Sequence, residues 1–253
     1  MLKSAVLIVI TLLVATLTIV LLPFNRKGRA FHWCARFWGR LVLKITPIRV
    51  KTKGLEHLQF GVNYIYAANH ASYFDIPTLV AVLPGQIRIV FKKELTRLPI
   101  FGWAMKLGSY ISIDRGDSRE AVESLEKAAG EIREGSSVLL FPEGTRTQDG
   151  RIQPFKRGAF TLAARSRVPI VPVTVNGSFS ILPKRGLRIN SGNVEVIIHP
   201  PVLTNGCTGK EGEMQLMKRV RDIVASDYVE PGVSQMGPTR DHAFEQQRRA
   251  VWP

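Results

Sequence analysis

His70 and Asp75 stand five residues apart in the stretch Asn69-His-Ala-Ser-Tyr-Phe-Asp75, which leaves the end of an apolar run. An imidazole held at one ring nitrogen by a carboxylate offers its other nitrogen as a proton acceptor, the arrangement a general base needs. On a continuous α-helix, a separation of five puts the two side chains about 140° apart. The pair therefore meets only across a turn. Without one, Asp75 reads as a helix N-cap with Pro77 in the first turn, and His70 as a packed loop residue. A bare His-x4-Asp spacing leaves both readings open.

A second constellation, Glu143-Gly-Thr-Arg146, follows the apolar run Ser137–Phe141 and Pro142. Backbone amides freed at a glycine turn, together with a guanidinium, suit a phosphate oxyanion. A tight turn with a solvated ion pair explains the same residues. Arg115, after Tyr110–Ile113, and the pair Lys92-Lys93 add possible cationic charge, although each taken singly is an ordinary surface residue. Neither cysteine, Cys34 or Cys207, has a second Cys or His at ligand spacing, so no metal site is expected. Two cysteines are also too few for a disulfide scaffold.

These groups need a frame that brings strand ends together. After Pro47, short apolar runs alternate with helical stretches. Strands are expected near 49–51, 64–68, 88–91, 110–113, 138–141, 170–175 and 194–198. Helices are expected at 76–82, 101–106, 118–133, 158–167 and 211–227. This alternation predicts an α/β fold, a single domain over 47–228 with a largely parallel central sheet flanked by helices. In such sheets functional groups collect where strands end and helices begin. Residues 229–253, rich in Pro, Gly and polar side chains, read as a mobile tail.

The chain of 253 residues carries a formal charge of +15. Residues 1–60 hold ten basic side chains against one acid, Glu56. The longest apolar run, Ser4–Leu22, lies in the same stretch and is uncharged. At about 1.5 Å per residue it makes a helix close to 30 Å long, enough to cross a bilayer core. It exceeds the apolar core of a cleaved signal peptide, and no small-x-small site follows it, so it is expected to be retained. Whether it spans the bilayer or sits in one leaflet stays open. Over 30–46, Phe31, Cys34, Phe37, Trp38, Leu41, Val42 and Ile45 recur at helical spacing, with Arg36, Arg40 and Lys44 as a basic stripe. That pattern predicts a helix lying at headgroup depth, or an ordinary amphipathic helix packed on the domain. Residues 1–46 are thus expected to form a membrane anchor. An oily anchor beside the basic charge favours a lipid surface as partner and excludes nucleic acid. Arg26, Lys27 and Arg29 place the remainder on the cytoplasmic face of the cell's inner membrane by the positive-inside rule.

Taken in order, Asn69-His-Ala-Ser-Tyr-Phe-Asp75, Lys92-Lys-Glu-Leu95, Gly108-Ser-Tyr-Ile-Ser-Ile-Asp-Arg115, Phe141-Pro-Glu-Gly-Thr-Arg146 and Val168-Pro-Ile-Val-Pro-Val173 closely resemble the four-block pattern of the 1-acyl-sn-glycerol-3-phosphate acyltransferase (lysophosphatidate acyltransferase) family. The resemblance covers roughly residues 45–200. It implies a glycerolipid acyltransferase-like fold and acyl transfer from acyl-CoA or acyl-carrier protein to the 2-hydroxyl of lysophosphatidate, giving phosphatidate without a cofactor. It implies His70 as general base steered by Asp75, and Glu143, Gly144, Thr145 and Arg146 as the acceptor site. Arg115 and Lys93 become further phosphate ligands, and 168–173 an apolar wall or acyl channel. A relative acting on glycerol-3-phosphate, another lysophospholipid or a lyso-aminolipid, and a phospholipid-binding module without turnover, are the competing readings.

Overall fold

A computed structural model describes residues 2–21, 29–108, 110–113, 118–184, 186, 188–207 and 209–232. The expected phosphate ligand Arg115, the charges Arg26 and Lys27, and the tail beyond 232 lie outside the described residues. Seven strands form one sheet: β1 (Ile48–Lys53), β2 (Ile65–Ala68), β3 (Ile87–Lys92), β4 (Ile111–Ile113), β5 (Ser137–Leu140), β6 (Ile170–Asn176) and β7 (Gly192–Ile198). Their order across the sheet is β1-β7-β6-β2-β5-β3-β4. The five strands from β6 to β4 run parallel, whereas β7 pairs antiparallel to β6 and carries β1 with it.

Strands β2, β5 and β6 are buried along their whole length. That is why they read as continuous apolar runs rather than alternating ones: helices cover both faces of a parallel sheet. Side chains alternate between the faces. Tyr66, Ala68, Leu139, Val171 and Val173 point into one core, and Ile65, Ala67, Val138, Leu140 and Ile170 into the other. The second core is closed by α5 (Ser118–Arg133), α6 (Gly158–Ser166) and α8 (Gly209–Ser226). The first is closed by α1 (Leu2–Leu21), α2 (Arg29–Ile45), α3 (Asp75–Val82), α4 (Phe101–Leu107) and the single turn α7 (Ser178–Ile181).

Helix α2 departs from the headgroup expectation. Phe31, Cys34 and Val42 are buried, and Phe31 and Val42 share a core with β2 and β6. Arg36 leaves the expected basic stripe and donates to the carbonyls of Leu83 and Gly85, just beyond α3. Burial, with Arg36 and Arg88 nearby, holds the His32 imidazole down to about 4. Its Nδ1 accepts from the Ile87 N–H at 3.4 Å, at the start of β3. The inner face of α2 is therefore part of the domain core, and Trp33 and Phe37 remain outside, stacked at 5.8 Å. Helix α1 is long and apolar enough to cross a membrane and is mostly exposed. It rests on α2 and α4, and Trp38 Nε1 donates to Thr11 Oγ1 at 3.0 Å.

Candidate functional site

The parallel strands end at one edge of the sheet, and the two sequence constellations start there, His70 after β2 and Glu143 after its neighbour β5. Asn69 fixes the exit of the chain from β2. Its Nδ2 donates to the Val175 carbonyl at 2.9 Å, and its Oδ1 accepts from the Val175 N–H at 2.7 Å, tying the strand end to β6. The backbone then turns tightly, with the Phe74 N–H donating to Ser72 Oγ and the Asp75 N–H to the Ser72 carbonyl. This is the turn that a spacing of five demands. Phe74, not Asp75, is the N-cap of α3.

Asp75 is fully buried, and its Oδ2 accepts from His70 Nδ1, the Ala71 N–H and the Ser72 N–H, each at 2.8 Å. A carboxylate oxygen shared by two backbone donors and a ring N–H is fixed in place. In the neutral imidazole, donation from Nδ1 to this carboxylate leaves Nε2 with its lone pair. The ring lies on Phe141, centroids 3.9 Å apart and planes within 17°, which fixes its plane. Such a pair can take a proton at Nε2 and have its charge stabilised at Nδ1.

Glu143 is buried and turned inward. One oxygen accepts from the His70 N–H at 2.6 Å and the other from the Gln153 N–H at 2.8 Å. Burial pushes its carboxyl up to about 7 in spite of these two bonds. Its carboxylate thus clamps the histidine backbone, a role its family block does not reveal. Gly144 takes φ +73°, a conformation that disfavours any side chain, and completes the turn. The Thr147 N–H donates to the His70 carbonyl at 2.9 Å, so both peptide groups of His70 are held from this loop.

Thr145 is exposed, and Arg146 lies across the ring of Tyr73, its Cζ 3.3 Å from the centroid. The cation is thereby held on a side chain of the His70–Asp75 turn. Its Nη1 is buried and has no hydrogen-bond partner among the described residues. A desolvated guanidinium N–H without an acceptor is a ready anion ligand. Lys93 opens a single 3-10 turn, Lys93–Arg97, at the end of β3. It shares the sheet edge, but the hydrogen bonds joining His70, Asp75 and Glu143 do not include it. Sequence reasoning also missed Asn69 as the pin of the strand end.

The Acyltransferase family model matches residues 49–176, a span that holds every one of these groups. The chloroplastic 1-acyl-sn-glycerol-3-phosphate acyltransferase of Brassica napus is 38% identical over 199 residues, 77% of this chain and 57% of that protein. The 1-acyl-sn-glycerol-3-phosphate acyltransferase of Saccharomyces cerevisiae is 35% identical over 213 residues, 82% of this chain and 69% of its own. The chain spans about half the length of the plant relatives it matches. In fold it is similar to the crystal structure of the 1-acyl-sn-glycerophosphate acyltransferase PlsC from Thermotoga maritima, with a TM-score of 0.70 and 23% identity over 94% of this chain and 99% of that one. With half of its length matched by the family model and relatives this similar over most of it, the chain belongs to the Acyltransferase family.

Proposed function

We propose that this protein transfers a fatty acyl group from a thioester, acyl-CoA or acyl-carrier protein, to the 2-hydroxyl of 1-acyl-glycerol-3-phosphate. The observation that carries the reading is the His70 Nδ1–Asp75 Oδ2 bond of 2.8 Å, with the unpartnered Nη1 of Arg146 held on a side chain of the same turn. His70 Nε2 takes the proton of the acceptor hydroxyl as its oxygen attacks the thioester carbonyl. Asp75 stabilises the imidazolium that results. Collapse of the tetrahedral intermediate breaks the C–S bond, and the departing thiolate recovers the proton from His70. The acceptor is itself the nucleophile, so no acyl-enzyme forms. Arg146 holds the phosphate, with Lys93 and Arg115 as further cations, and Gly144 and Thr145 give the turn its shape.

The names of the relatives support lysophosphatidate as acceptor. Apolar helix α1, with the exposed pair Trp33 and Phe37 on α2, supports action at a membrane surface, where both lysolipid and product reside. The purified protein is to be given acyl-CoA or acyl-carrier protein with a panel of lysolipids and glycerol-3-phosphate. Turnover should be fastest with lysophosphatidate. A clear preference for a phosphate-free acceptor would overturn the assignment.

A further inference from the structure

The sheet returns from β6 to β7 without crossing over, because the two strands are antiparallel. The connection, 177–191, consequently leaves and re-enters at the edge where His70 and Glu143 stand. It contains Leu182-Pro-Lys-Arg-Gly-Leu-Arg188, a basic run outside the family-model match, and with no role so far. Its base is pinned: the Asn190 N–H donates to the Ile181 carbonyl at 3.0 Å, and Asn190 Nδ2 to the Ser180 carbonyl at 2.9 Å. Two further bonds hold it against the site. Ser72 Oγ, inside the His70–Asp75 turn, donates to the Leu182 carbonyl at 3.0 Å. Lys184 Nζ donates to Thr145 Oγ1 at 3.1 Å.

We propose that Lys184 is a further cation of the acceptor site, held beside Thr145, binding the phosphate monoester together with Arg146 and setting the preference for a monoester over a diester headgroup. The inference rests on the lysophosphatidate reading above. A phosphate monoester approaches two negative charges at neutral pH, and one guanidinium balances about half of that. Glu143 does not oppose a further cation here, since both its oxygens are bonded inward to backbone N–H groups. Among the described residues Lys184 pairs with no carboxylate. By accepting from Lys184, Thr145 keeps its own hydroxyl proton free to donate to a phosphate oxygen. Tyr73 beneath Arg146 and Ser72 beneath Leu182 are adjacent in sequence, so both cations are referenced to the turn that carries His70.

The test compares wild type, Lys184→Met and Lys184→Arg on vesicles, with lysophosphatidate and lysophosphatidylglycerol as monoester and diester acceptors. Lys184→Met should raise the KM for lysophosphatidate roughly 10- to 100-fold, the loss of one bond to a charged group. The KM for acyl-CoA and the use of the diester should change little, and Lys184→Arg should restore most of the preference. An unchanged KM for lysophosphatidate, or an equal rise for both acceptors, overturns the role of Lys184. Failure of the wild type itself to use lysophosphatidate overturns the functional reading, and this inference with it.

Discussion

At the scale of single residues, the site divides into groups exposed to a substrate and groups that hold them. His70 is 15% exposed at its side chain, whereas Asp75 is fully buried. Oδ2 of Asp75 serves three donors at once, so its removal disturbs ring orientation and turn geometry together. Asp75→Asn is therefore expected to lower kcat by roughly 100- to 10,000-fold with a smaller change in acceptor KM, in line with general-base losses. His70→Ala should fall as far while keeping its melting temperature within a few degrees. Steady-state kinetics beside a thermal melt check both, and turnover surviving in His70→Ala would remove the base from the mechanism. His70, Asp75 and Arg146 were legible in the sequence only through the ordered blocks that resemble the family, since a bare His-x4-Asp spacing and an arginine after a glycine turn each have an ordinary reading. The inward turn of Glu143 was not, since an acid beside a glycine reads equally well as a surface group, and burial depends on distant packing.

Among elements, the loop after β5 acts as the clamp for the loop after β2, and its grip depends on the protonation of Glu143. Burial raises the carboxyl to about 7 in the folded chain, above the usual value near 4.5. The folded state therefore binds the extra proton between those values, and the unfolded state does not. Stability from this group is fully present below about 4.5 and is lost as pH rises through 7. Glu143→Gln removes that titration and, by placing an amide donor opposite one backbone N–H, loses one of the two bonds to His70 and Gln153. The variant should be less stable at pH 5 by about 1–3 kcal/mol and roughly tenfold slower. Urea unfolding from pH 5 to 8 should show wild type losing its advantage over Glu143→Gln as pH rises, and parallel pH dependences would refute it. The strands themselves were readable to within a few residues. The antiparallel return of β7 was not, because the alternation of buried and open side chains along it carries no record of strand direction. That blindness also hid Lys184, whose place follows from the return.

For the whole molecule, the question is where the proposed membrane anchor ends and the folded body begins. Charge and apolar run suggest a boundary at residue 46, which would make both first helices an anchor. The packing draws it earlier. Buried Phe31, His32, Cys34 and Val42 on α2 close the face of the sheet that β2 and β6 present, and Arg36 bonds beyond α3. Helix α1 contributes little to that core: among the described residues Ala15 and Thr18 are its buried ones, and its outward face is apolar from Val6 to Val20. Two truncations should therefore behave differently. A chain starting at 29 is expected to remain folded and to turn over dispersed lysolipid at nearly the full rate, but to release from sedimented vesicles and slow on bilayer substrate by roughly tenfold or more. A chain starting at 47 exposes several large core side chains, each worth about 1.5–3 kcal/mol when buried. Against a typical total stability of about 5–15 kcal/mol, that loss should leave it aggregated or unfolded. Circular dichroism with vesicle sedimentation separates the cases. A cooperative melt in the shorter chain would assign α2 to the membrane after all, and vesicle binding by the longer one would move the anchor from α1 to the exposed Trp33 and Phe37.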